Sequence, residues 1–136
     1  MTDLNPDLIE PPYPLQAHLG FTITGWEQDF ARFELPLTPP LMNRYGIPHG
    51  GIYAVLLDTV MGFSGSYTGD PERKVLAMTL SLNTNFLSRP VGEILIGEGR
   101  RTGGGKSTFF SEGIIRDETG LTVATGTGVF RYRKGG

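Results

Sequence analysis

The sequence predicts an α+β fold in which one central helix is wrapped by a single curved antiparallel sheet, in the order β-β-α-β-β-β-β. Three observations predict it. Only one long stretch, Gly51 to Phe63, is apolar at nearly every position, the pattern of a helix enclosed by other protein. The remaining apolar residues alternate with polar ones in runs joined by short turns, so consecutive strands pair as hairpins. Those strands carry Gly97, Gly99, Gly113, Gly126 and Gly128, which suit a sheet that curves tightly or lets a helix backbone approach.

Residues 1–17 hold Pro6, Pro11, Pro12 and Pro14, a composition that blocks a regular helix and predicts an extended arm, partly disordered or packed on a neighbour. The folded domain is expected over 18–134. Between Leu19 and Leu37, Phe21, Ile23, Ala31, Phe33 and Leu35 alternate with polar residues as a hairpin turning at Gln28-Asp29. Prolines 36, 39 and 40 end it, and the loop Met42–Pro48 leads into a helix expected from about Gly50 to about Tyr67. From Val75 to Phe86, Leu76, Met78, Leu80, Leu82 and Phe86 fall on one face and Thr79, Ser81, Asn83 and Asn85 on the other. Glu93–Arg101, Ser107–Asp117 and Leu121–Tyr132 complete the sheet.

A chain of 136 residues without repeat or linker reads as one domain, and its 38% hydrophobic content suffices for a core. A net charge of −2 gives no overall attraction to nucleic acid or anionic lipid, so neither is expected as a partner. The absence of cysteine excludes disulfides, thiolate metal sites and a thiol nucleophile. With only His18 and His49 beside it, no metal site is expected. There is no signal-peptide pattern and no apolar stretch long enough to span a bilayer, which predicts a soluble, cytoplasmic protein.

Asp58 is the only charged residue between Arg44 and Asp70, and it lies inside the apolar helix. A buried carboxylate is costly unless it is paired, hydrogen-bonded or used in chemistry. Asn43 stands six residues before His49-Gly50-Gly51, and Gly51 seven before Asp58. On these residues the chain resembles the hotdog-fold acyl-CoA thioesterases of the phenylacetate-pathway (PaaI-like) group, whose signature is Asn-x5-His-Gly-Gly-x6-Asp. The resemblance continues through Asn85-Phe-Leu-Ser-Arg89-Pro90 and covers roughly residues 40–133.

Independently of that resemblance, Gly50 and Gly51 leave backbone N–H groups bare at the positive end of a helix, where they can face a thioester carbonyl as it gains negative charge. Asp58 lies eight residues beyond Gly50, about 12 Å along the axis at ~1.5 Å per residue. One carbonyl cannot be served by both ends of one helix, so the spacing asks for two antiparallel helices and a dimer with two equivalent sites. The resemblance implies the same arrangement, commonly built up to a homotetramer. It also implies that Asp58 activates water as general base or attacks as nucleophile, while the Gly50 N–H and Asn43 hold the carbonyl and water. Thr79 matches a position where relatives often carry Ser, and its hydroxyl would orient water beside Asp58. The competing structural account makes Asp58 a carboxylate satisfied by amide or backbone groups.

His49 is open to two readings: a loop anchor hydrogen-bonded to backbone, or the base of a hydratase or dehydratase on the same fold. Gly103-Gly104-Gly105-Lys106-Ser107 superficially resembles a phosphate-binding loop, but Arg100 stands where the opening glycine is needed and a strand follows instead of a helix. Arg89, Arg100, Arg101 and Lys106 instead form a candidate cluster for the phosphates of coenzyme A, with solvated surface charge as the alternative. Tyr45, Ile47, Tyr53, Leu57, Met61 and Phe63 are candidates for an acyl pocket, with Gly62 and Gly65 freeing space beside it. The sequence thus predicts an acyl-CoA thioesterase needing no cofactor, with an acyl-CoA binding or sensing module as the alternative from a different class.

Overall fold

The computed structural model describes residues 4–134. The arm is not wholly extended, contrary to expectation. It contains a 3-10 turn at Pro6–Leu8 and a short helix, α1 (Pro14–Leu19), which crosses the expected boundary between residues 17 and 18. Pro14 begins α1 at the position where a helix has no N–H bond to lose, and Gly20 ends it with a φ of 90°. The first three residues of the expected arm lie outside the described residues.

β1 (Thr22–Glu27) and β2 (Phe30–Pro36) form a hairpin that turns at Gln28 and Asp29, as the sequence predicts. The long helix α2 (Gly50–Ser64) follows, then β3 (Ala77–Phe86), β4 (Ile94–Gly104), β5 (Thr108–Asp117) and β6 (Thr122–Tyr132). The order of helix and strands agrees with the sequence reading. All six strands pair antiparallel in the order β1-β2-β4-β5-β6-β3, which puts β3 at one edge.

α2 lies across one face of this sheet. Its residues Leu56, Leu57, Val60 and Met61 are fully buried, each worth ~1.5–3 kcal/mol of burial. A methyl group on Gly99 of β4 would collide with the Val60 carbonyl, so the helix backbone rests directly on that strand. The helix ends about a turn sooner than expected, because Tyr132 Oη donates to the Gly65 carbonyl (2.6 Å) and the Phe109 ring occupies the space beside Gly65. Among the described residues no helix is long and apolar enough to cross a membrane.

Candidate active site

Asp58 points from α2 towards β3, where Thr79 Oγ1 donates to its Oδ1 at 2.6 Å. Strict alternation would put Thr79 on the face of Ser81, Asn83 and Asn85, away from Leu82 and Phe86. The strand instead carries a bulge: Thr79 pairs with Phe130 and Ser81 with Val129, leaving Leu80 as the extra residue. Ala77 and Thr79 therefore share the helix-facing side with Leu82, Thr84 and Phe86. Met78, opposite Arg131, turns outward with Ser81, Asn83 and Asn85, which corrects the single alternation expected for this strand.

Asp58 is also more open than its apolar neighbourhood predicts. The sheet covers only one side of α2, and Gly51, Val55, Asp58 and Gly62, spaced along one helical stripe, are not buried.

At the other end of the helix, His49 is the cap, its Nδ1 accepting the Gly51 N–H at 2.9 Å. That bond removes the Gly51 donor and leaves the Gly50 N–H without a partner among the described residues. Asn43 shapes the loop ahead of it: its Oδ1 accepts the N–H groups of Tyr45 (2.8 Å) and Ile47 (3.4 Å), and its own N–H donates to the Ile47 carbonyl (2.7 Å). The Phe86 ring lies against Gly50, where a Cβ would stand 3.3 Å from it.

A pocket of about 200 Å³ opens beside Asp58 and Thr79, with Tyr13, Trp26, Phe63 and Phe130 among its walls. Of the six acyl-pocket candidates only Phe63 lines it. Tyr53, Leu57 and Met61 are buried in the core, Ile47 is half-buried, and Tyr45 is 80% exposed on its loop. Gly62 borders the pocket, whereas Gly65 lies under Phe109.

Tyr13 carries no sequence signal that would select it, since no motif spacing links the arm to α2. Its hydroxyl lies 3.1 Å from Thr59 Oγ1, one residue from Asp58. Burial raises the Tyr13 phenol above its usual value, the Thr59 hydrogen bond works against that rise, and the Asp58 charge adds to it.

The four basic candidates do not converge in one chain. Arg101 and Lys106 line a cleft at the carboxyl end of α2, together with Arg73. Arg100 lies on the outer face, its guanidinium 4.6 Å from the centre of the Phe30 ring, and lines a different cleft with Glu98, Glu112 and Arg116. Arg89 is exposed, three residues beyond Phe86 and so near the amino end of α2. Among the described residues no three His, Asp or Glu side chains come together as metal ligands.

Residues 45–124 match the family model of the thioesterase superfamily. A Haemophilus influenzae protein provisionally named an esterase is 31% identical over 75 residues, 55% of this chain; the matched region spans 52% of that relative's length. The PaaI protein from the phenylacetic acid degradation operon of Escherichia coli has a similar fold, with a TM-score of 0.77 at 22% identity, covering 89% of this chain and 85% of that one. A Bacillus halodurans protein solved with CoA superposes with a TM-score of 0.75 at 28% identity, covering 90% of this chain and 80% of that one.

Proposed function

Because the chain belongs to the thioesterase superfamily, we propose that it is an acyl-CoA thioesterase, converting R-CO-S-CoA and water to the free acid and CoA without metal or redox cofactor. The observation that carries this assignment is the Thr79–Asp58 hydrogen bond at the mouth of a small aromatic-walled pocket. Thr79 holds one carboxylate oxygen, and the other is left to take a proton from water or to attack the thioester carbon itself. The unpartnered Gly50 N–H, at the positive end of α2, supplies the donor for the carbonyl oxygen as charge develops on it.

Asp58 and Gly50 lie about 12 Å apart along one helix. Each site therefore combines Asp58 of one protomer with Gly50 of a second whose α2 runs antiparallel. Two features support that pairing. The open stripe of α2 includes Val55, and the edge strand β3 leaves Leu80 58% and Phe86 59% exposed, an apolar edge that a second copy would cover. The dimer further assembles as a homotetramer. Antiparallel helices also bring the Arg89 end of one protomer beside the Arg101 and Lys106 end of the other, where these cations meet the CoA phosphates. The B. halodurans neighbour solved with CoA supports a CoA ligand. Arg100, on the outer face, is left out of that group.

The test is thiol release from short, medium, long and aromatic acyl-CoAs by the native protein and by Asp58→Asn. Turnover by the native protein that vanishes in the variant supports hydrolysis at Asp58. Acyl-CoA binding without thiol release would instead identify a binding module.

A further inference from the structure

The amino-terminal arm lies outside the matched family region and carries none of the motif, yet it supplies part of the Asp58 pocket. We infer that Tyr13 is a specificity-determining residue whose ring closes the far end of the acyl pocket and so sets the longest acyl group the site accepts. This rests on the thioesterase assignment for its substrate, but not for its geometry.

Three observations converge on Tyr13. Its ring borders the pocket that opens at Asp58, and the same ring borders a second, smaller cavity of about 20 Å³ reached by Ile9, Ile23 and Phe33. Glu10, Trp26 and Phe63 line both cavities as Tyr13 does, so the two spaces adjoin across this group, with Tyr13 as the proposed partition between them. The partition is held in place. The hydroxyl is hydrogen-bonded to Thr59, itself only 8% exposed, and the ring meets Phe21 edge to face at 6.0 Å. A pocket of about 200 Å³ is also small beside ligand sites of roughly 300–1,000 Å³, as expected for a closed end that admits a short chain or a single ring.

Removing the ring would join the two spaces along the apolar surfaces of Trp26 and Phe63 that line both. Each methylene newly buried there is worth about fourfold in binding or in kcat/KM. Because Tyr13 touches Thr59 and not the reacting atoms, its loss should change which acyl group is accepted more than the rate with the shortest.

The experiment compares straight-chain acyl-CoAs of increasing length with native protein, Tyr13→Ala, Tyr13→Leu and Tyr13→Phe. It measures kcat/KM for hydrolysis and, separately, the affinity of non-hydrolysable thioether analogues. The expected result is a length cutoff that moves at least two carbons longer in the Ala and Leu variants, with about tenfold or greater gain at those lengths. The cutoff should stay in place in Tyr13→Phe, which keeps the ring. An unchanged cutoff in folded Ala and Leu variants would overturn the inference, as would analogue affinities that do not depend on length in the native protein. No hydrolysis by any protein, with analogue binding that still shows the shifted cutoff, would refute the thioesterase assignment while upholding the role of Tyr13.

Discussion

Thr79 reaches Asp58 because β3 carries one residue more than its partner strand between Thr79 and Ser81. The bulge at Leu80 turns a hydroxyl that would face away from the helix onto the carboxylate. It thereby couples sheet geometry to the proposed chemistry.

Thr79→Ala removes a hydrogen bond to a charged group at a partly solvated site and should lower kcat about tenfold, whereas Thr79→Ser should retain most of it. Asp58→Asn keeps an oxygen that accepts from Thr79, so the fold should survive while activity falls by ~10²–10⁴-fold. Steady-state kinetics beside thermal unfolding separates the two effects. An Asn variant with near-native kcat would remove Asp58 from the chemistry.

Gly99 and Gly103 offer a contrast within β4. A methyl on Gly99 meets the Val60 carbonyl, so Gly99→Ala must push helix and strand apart and should cost ~1–3 kcal/mol, whereas nothing stands within 4 Å of a Cβ at Gly103. Denaturant titration of both variants tests this. Equal midpoints would show that α2 does not rest on β4 as described.

Much of this could be read from the chain. The apolar run and the hairpin turns predict the helix and the order of elements along the chain, because each is a local rule expressed over many residues; the strand glycines leave tight curvature and close helix approach both open, and the placing of β3 beside β6 is not local. What escaped has a common physical origin. The bulge at Leu80 is fixed by pairing with β6, the wall at Tyr13 by packing of the arm on α2, and the separation of Arg89 and Arg100 from Arg101 by which sheet face and end each occupies. All three depend on contacts between segments distant in sequence, and none has a spacing signature. The prolines of the arm predict an extended segment, but Pro14 falls where a helix tolerates one.

A second carboxylate, Asp117, is buried and has a purely structural place. Its oxygens accept from the Thr119 hydroxyl (2.5 Å) and from the N–H groups of Val91 (2.8 Å) and Gly92 (2.9 Å), tying the β5–β6 turn to the entry of β4. The Thr119 bond first, and then the backbone N–H groups, hold its pKa far below the ordinary 3.8. Backbone N–H groups led by that of Glu93 lower neighbouring Glu118 from 4.5. Both lowered groups favour the folded state in full above the ordinary values. Below them the unfolded chain binds protons that the folded one does not, and stability falls until the folded values are passed. Native protein should therefore lose melting temperature progressively as the pH falls below about 4.5, and Asp117→Asn should show a shallower decline from a lower starting point. Parallel slopes would remove Asp117 as a source of the acid sensitivity.

The central claim is that Asp58 of one protomer works with the Gly50 N–H of another, and subunit mixing tests it most directly. Gly50→Pro deletes that N–H at the first helical position, where proline is tolerated; His49 before it, at φ −62° and ψ 139°, already suits a residue preceding proline. Gly50→Pro and Asp58→Asn should each be close to inactive alone. Unfolded together and refolded in equal amounts, they should recover about a quarter of native activity, because half the dimers are hybrids and each hybrid holds one intact site. No recovery, with hybrid dimers demonstrated by mass, would contradict a site shared between protomers.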